Sequence, residues 1–138
     1  MTFNKNFVIQ KIDEFIGYLK ELDELLIFSD QEIFTDSGKL HIAERLLQLI
    51  VDTMLDINQH FIKEQNLKIP DDFQSTFYIL GENNIFPADF AIKIAPVVGL
   101  RNRIVHRYDS INKQLFIETL RKNASDFKIY IKFINKQF

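Results

Sequence analysis

The chain has 138 residues, 46% of them hydrophobic and 26% charged, with a net charge of −2, the profile of an ordinary globular protein with one core. It contains no Cys, which excludes disulfides, thiolate nucleophiles and Cys-based zinc sites and fits a reducing cytoplasm. No stretch approaches the ~18 uninterrupted apolar residues of a membrane span. Lys5, Lys11, Asp13, Glu14 and Lys20 interrupt the beginning of the chain, so neither a membrane segment nor a signal peptide is expected.

Val8, Ile12, Phe15, Leu19, Leu22 and Leu26 recur every three to four residues, the period of one helix face, and predict a first helix over Asn4 to Phe28. Thr35-Asp36-Ser37-Gly38 supplies capping chemistry for a long second helix, Ser37 to Gln65, with Ala43, Leu46, Leu47, Ile50, Met54, Ile57 and Phe61 on its apolar face. Pro70-Asp71-Asp72 reads as a turn followed by a cap, and a short third helix then carries Phe73, Phe77 and Leu80 on one stripe and stops at Gly81 and Asn83-Asn84.

Pro87 suits the first turn of a fourth helix, with Phe90, Ile94, Val97, Val98, Leu100, Ile104 and Val105 as its apolar set. Pro96 cannot donate its backbone hydrogen bond, so a kink is expected there. Beyond Tyr108-Asp109-Ser110, the residues Phe116, Leu120, Phe127, Ile131 and Ile134 mark a fifth helix running to near the C-terminus. The expectation is all-α: an antiparallel five-helix bundle, one domain over residues 1–138, without repeats or linkers. Fourteen Phe and no Trp point to a Phe-rich core or a greasy dimer face.

The small net charge hides a split. Residues 101–138 carry nine Lys and Arg against three acids, a net +6, which leaves −8 on residues 1–100. Such a basic third can hold a polyanion or complement the chain's own acidic helices.

On the fourth helix, at about 100° per residue, Arg101 falls inside the apolar arc formed by Val97, Val98, Leu100, Ile104, Val105 and Tyr108. An Arg there is costly to bury alone. It needs an anion, a partner chain or a wet groove, or else an internal ion pair with an acid of the first or second helix. His106 lies about 140° from Arg101 and about 40° from Asn102 on an unbroken helix, so one monomer does not converge Arg and His on one point. A two-fold axis along this edge would bring Arg of one copy beside His of the other. A lone His at a helix edge also serves structural ends.

Asp52, Asp56 and His60 share one face of the second helix at four-residue spacing and could pass for a metal site. A solvated or salt-bridged stripe is the reading preferred here, with Asp56 available to support Arg101 or Arg103. No metal and no cofactor is expected. His41, near a helix start, is given no role.

The run Gly99-Leu100-Arg101-Asn102-Arg103-Ile104-Val105-His106-Arg107-Tyr108 resembles the signature of HEPN-domain ribonucleases, in the Arg, four residues, His, one residue, Tyr form of the HepT-like toxins. The resemblance extends upstream through Ala43-Glu44-Arg45-Leu46-Leu47, Leu55-Asp56-Ile57, Phe77-Tyr78-Ile79-Leu80 and Ala95-Pro96-Val97-Val98-Gly99, and covers roughly Lys39 to Ile134. Arg107 departs from the pattern, where an acidic or neutral residue would be as typical; it adds positive charge beside His106.

The resemblance implies a homodimeric HEPN fold and a cytoplasmic, metal-independent endoribonuclease toxin whose composite site lies at the dimer interface. In that reading His106 handles protons, Arg101 grips the phosphate, Asn102 orients it or the His, and Arg103 and Arg107 bind RNA. The chemistry agrees: RNA brings its own 2′-hydroxyl nucleophile, and an imidazole titrating near about 6.5 accepts or donates protons at neutral pH. The implied partner is a minimal nucleotidyltransferase (MNT) antitoxin that transfers AMP to Tyr108. The alternative is a non-catalytic HEPN subunit that binds nucleotide or RNA, or acts as a scaffold, within a nucleotidyltransferase complex.

Overall fold

The computed structural model describes residues 5–107 and 111–138, and every regular element among them is a helix. In chain order these are α1 (Lys5–Leu25), α2 (Asp30–Thr35), α3 (Ser37–Glu64), α4 (Ser75–Glu82), α5 (Ala88–Ile94), α6 (Val97–His106) and α7 (Lys113–Asn135). None is long and apolar enough to cross a membrane.

Two differences raise the helix number above the five expected. The first is α2, six residues that sequence periodicity cannot register. It forms because Ser29 and Glu32 make a reciprocal capping box: the Glu32 N–H donates to Ser29 Oγ at 3.1 Å, and the Ser29 N–H donates to Glu32 Oε1 at 3.2 Å. The second is the predicted fourth helix, divided into α5 and α6. Ala95 N–H still reaches Ala91 O, but Pro96 has no N–H, and the chain tightens through Val98 N–H to Ala95 O and Gly99 N–H to Pro96 O before α6 proceeds. The kink expected at Pro96 thus falls where α5 gives way to α6, with Ala95 and Pro96 keeping right-handed helical backbone between them.

Capping fixes the other boundaries. Asp36 Oδ1 accepts from Lys39 N–H at 3.1 Å and starts α3, and Asn112 Oδ1 accepts from Leu115 N–H at 3.1 Å and starts α7. Asp72 Oδ1 accepts from both the N–H and the hydroxyl of Ser75 as the expected cap, and a tight turn with Thr76 N–H to Phe73 O and Phe77 N–H to Gln74 O precedes α4, which begins at Ser75. The predicted end of the first helix at Phe28 retreats to Leu25, and its predicted start at Asn4 lies outside the described residues.

The cross-links give the directions. Lys11 of α1 pairs with Asp56 of α3, whereas Arg121 and Lys128 of α7 meet Leu26 and Asp23, so α1 runs antiparallel to both long helices. Glu44 meets Lys113 and Asn58 meets Tyr130, which makes α3 and α7 parallel to each other. The Glu44–Lys113 pair is 2.7 Å long, with side chains only 8% and 19% exposed. The intervening α4 to α6 carry the chain back across the bundle.

The core draws on every helix, and Phe15, Phe61, Phe77, Phe86, Phe116 and Phe127 are all but inaccessible in it. Each such side chain contributes on the order of 1.5–3 kcal/mol by leaving water. Tyr130 stands at the centre, its ring against Phe15, Phe77 and Phe86. Burial raises its hydroxyl well above the usual value, so it stays neutral and donates to Asn58 Oδ1 at 2.7 Å. At Gly81 the backbones of α4 and α5 close on each other. A Cβ there would stand 2.9 Å from Ala91 Cβ and 3.3 Å from Ala88 Cα.

Candidate functional site at the end of α6

α6 lays Val97, Val98, Leu100 and Ile104 into the core, while Val105, expected in the same apolar set, is 38% exposed. Its opposite side and its C-terminal end carry the polar residues. A surface depression there is lined by Phe73, Arg101, Asn102, Arg103, His106 and Arg107. Five residues singled out from the sequence thus border one hollow of a single chain, although the helical wheel separates Arg101 from His106. The sixth, Tyr108, lies outside the described residues.

Arg101 is held from α3. Its Nε donates to Asp52 Oδ1 at 2.9 Å and a terminal nitrogen donates to Asp52 Oδ2 at 3.4 Å, while another terminal nitrogen reaches Asn102 Oδ1 at 3.3 Å. The Arg101 side chain is 21% exposed and that of Asp52 39%, so the pair lies at the wall of the depression and not in the core. The internal ion pair with the second predicted helix is therefore real, and it leaves the guanidinium bordering the hollow. The fork-to-fork contact fixes the plane of the guanidinium.

His106, Asn102, Arg103 and Arg107 are exposed. His106 is the last residue of α6, and the Arg107 N–H donates to Arg103 O at 2.8 Å to close the helix. Cationic groups at this end are favoured by the partial negative charge of the terminal carbonyls. The result is a concentrated positive field with an imidazole inside it, an arrangement suited to an anionic ligand whose reaction needs proton transfer.

The stripe Asp52-Asp56-His60 does not act as a unit. Asp52 holds Arg101, Asp56 pairs with Lys11 at 3.1 Å, and His60 stacks on Phe7 with ring centroids 4.8 Å apart. Burial works against the charge of Lys11, but the hydrogen bond and charge of Asp56, aided by Glu14, outweigh it and raise the amine above 10.5. The support of Arg101 thus comes from Asp52, one turn earlier than the Asp56 expected. Four-residue spacing brought both acids to one face but carried no information on which one α6 would cross. Among the described residues, no cluster of three or more His, Asp or Glu has the arrangement to hold a metal ion.

Phe73 is the residue that sequence reasoning placed wrongly. Expected on the buried stripe with Phe77 and Leu80, it precedes the helix start at Ser75 and stands 53% exposed at the lip of the depression. The cap at Asp72 is legible in the sequence, but nothing there marks that the turn after the cap stays outside α4 and leaves Phe73 exposed.

Residues 15–134 match the Ribonuclease HepT-like family. The chain is similar to the tRNA nuclease HepT of Aphanizomenon flos-aquae, 34% identical over 137 residues and covering 98% of this chain and 92% of that protein. It is also similar to the mRNA nuclease HepT of Shewanella oneidensis, 26% identical over 133 residues, covering 96% of this chain and 98% of that one. Its fold is that of a tri-AMPylated Shewanella oneidensis HEPN toxin solved in complex with MNT antitoxin, with a TM-score of 0.88 at 23% identity over 96% of this chain and 99% of the other. The chain belongs to the HepT-like ribonuclease family and is an endoribonuclease of the HEPN type.

Proposed function

We propose that residues 1–138 act as one domain and, paired as a homodimer, form a metal-independent RNA-cleaving toxin of the cytoplasm, restrained by an MNT-type nucleotidyltransferase antitoxin. The observation that supports this most strongly is the grouping of Arg101, Asn102, Arg103, His106 and Arg107 around one depression, with Arg101 oriented by Asp52.

The step is a transesterification. A His106 imidazole takes the proton of the ribose 2′-hydroxyl, whose oxygen bonds to phosphorus while the bond from phosphorus to the 5′-oxygen breaks. The departing oxygen receives a proton from the protonated His106 of the second copy, leaving a 2′,3′-cyclic phosphate and a free 5′-hydroxyl. Arg101 spreads two donors over the phosphate oxygens as negative charge builds on them, Asn102 steadies the guanidinium, and Arg103 and Arg107 attract the flanking phosphates. Charge stabilisation by guanidinium and a nucleophile supplied by the substrate leave no role that requires a metal ion. The similarity to a tri-AMPylated toxin supports AMP transfer to Tyr108, where the added anion would compete with RNA phosphate.

The test uses purified protein in EDTA. Wild type is expected to cut RNA and His106→Ala to fold with an unchanged circular dichroism spectrum and lose cutting, while sedimentation gives a two-chain mass. Equal cutting by wild type and His106→Ala would sink the assignment of proton transfer to His106, and a monomeric active species would rule out the shared site.

A further inference from the structure

Among the described residues lining the depression, Phe73 is the one with an apolar side chain, and the other five carry cationic or polar groups. Its neighbours on the predicted stripe, Phe77 and Leu80, are completely buried, whereas Phe73 keeps about half its surface in solvent. Packing against the core therefore engages only about half of the Phe73 side chain and leaves the rest bordering the depression.

The backbone beneath the ring is tied to the centre of the molecule. Phe73 O accepts from the Thr76 hydroxyl at 2.6 Å and from the Thr76 N–H at 3.2 Å. Thr76 Oγ1 accepts from Asn58 Nδ2 at 3.1 Å, and Asn58 Oδ1 accepts from the Tyr130 hydroxyl at 2.7 Å. All three of these side chains are buried, so a continuous chain of hydrogen bonds runs from α7 through α3 and α4 to the Phe73 carbonyl. Asp72, immediately before it, is fixed by two bonds from Ser75. An exposed ring on an immobilised turn loses little freedom when a flat partner covers it.

From this placement we infer that Phe73 is a stacking platform for one unpaired base of a single-stranded RNA, next to the phosphate held by Arg101. The inference rests on the RNA-cleaving reading and adds what that reading lacks, a reason for the site to prefer unpaired substrate. The guanidinium groups meet the backbone anions, and the ring meets the only other large surface that a nucleotide offers, the face of its base. A base inside a duplex has both faces covered already, so it cannot use the ring.

The experiment is a binding measurement in the His106→Ala background, which keeps the probe intact. The probe is a short single-stranded RNA in which 2-aminopurine alternates with uridine, so that a docked base reports stacking by loss of fluorescence. The parent is expected to quench the probe. Adding Phe73→Leu is expected to abolish the quench and weaken binding by about fivefold or more, the range for loss of one base–aromatic stack. Phe73→Trp is expected to retain both.

Equal quenching and affinity with Phe73→Leu would overturn the platform, and so would a drop of that variant to a one-chain mass in sedimentation, which would make the ring a contact between copies. Cleavage by the wild-type protein is scored separately, so failure of the ribonuclease reading is distinguishable: quenching would then persist without cutting.

Discussion

Asp52→Ala removes both acceptors of the Arg101 guanidinium, at 2.9 and 3.4 Å. Because both side chains retain contact with water, the loss of stability is that of a well-formed exposed pair, about 1 kcal/mol. For a chain of this length that lowers the thermal midpoint by about 3 °C. The functional cost is larger, because an Arg released from its fork-to-fork contact no longer holds its planar set of donors in one orientation toward the phosphate. A displacement of about 1 Å at a reacting centre can cost about a hundredfold. The expectation is thus a fall of roughly 10- to 100-fold in kcat/KM on RNA, mainly in kcat, with an unchanged helical spectrum. Asp52→Asn, which keeps an oxygen acceptor without the charge, should fall between. If Asp52 merely competed with RNA for the guanidinium, its removal would tighten binding and raise kcat/KM. A rise, or no change, refutes the orienting role.

Three further outcomes can be checked. Gly81→Ala should lower the thermal midpoint, because overpacking against Ala91 and Ala88 at about 1–3 kcal/mol outweighs a helix-propensity gain of about 1 kcal/mol; a higher midpoint would mean that α4 and α5 can separate. The carboxyl of Asp36 is held below its usual 3.8 by the Lys39 amine and then the Lys39 N–H, and that of Asp72 by the Ser75 hydroxyl and then its N–H. Both therefore stabilise the fold above the unfolded carboxylate pKa and cease to do so as the pH falls through their depressed folded values, so urea midpoints of Asp36→Asn and Asp72→Asn should converge on wild type in acid. A gap that stays constant with pH would contradict this assignment. Incubation with a cognate nucleotidyltransferase and ATP should add AMP to the wild-type mass, and Tyr108→Phe should abolish the addition.

Three long helices were legible from the sequence because each keeps one apolar face over many turns. Val8 to Leu22, Ala43 to Phe61 and Phe116 to Ile134 are buried in the expected register. Short elements were not, since the six residues of α2 hold less than two turns and owe their start to the Ser29–Glu32 box. Pro96 was visible as an obstacle, but whether a helix bends or stops there depends on tertiary packing. At the site, the Arg101-to-His106 spacing indicated the chemistry, while the identity of Arg101's anion did not follow from it. Asp52 and Asp56 look alike in sequence, and only the crossing of α6 over α3 distinguishes them. Phe73 was misplaced because an apolar residue at helical spacing carries no mark of exposure when the helix begins after it.

The link between Glu44 and Lys113 constrains how this sequence can drift. With both ends shielded from solvent, exchanging either one alone takes a counter-charge at 2.7 Å away from the other, a loss of up to about 3–5 kcal/mol in pairs of this kind, comparable to much of a small protein's margin against unfolding. Replacing both by well-fitted apolar side chains is close to neutral. Substitution at these two positions, one near the start of α3 and the other at the first turn of α7, is accordingly expected to be coupled, so that in a set of descendants a change in one column favours a change in the other.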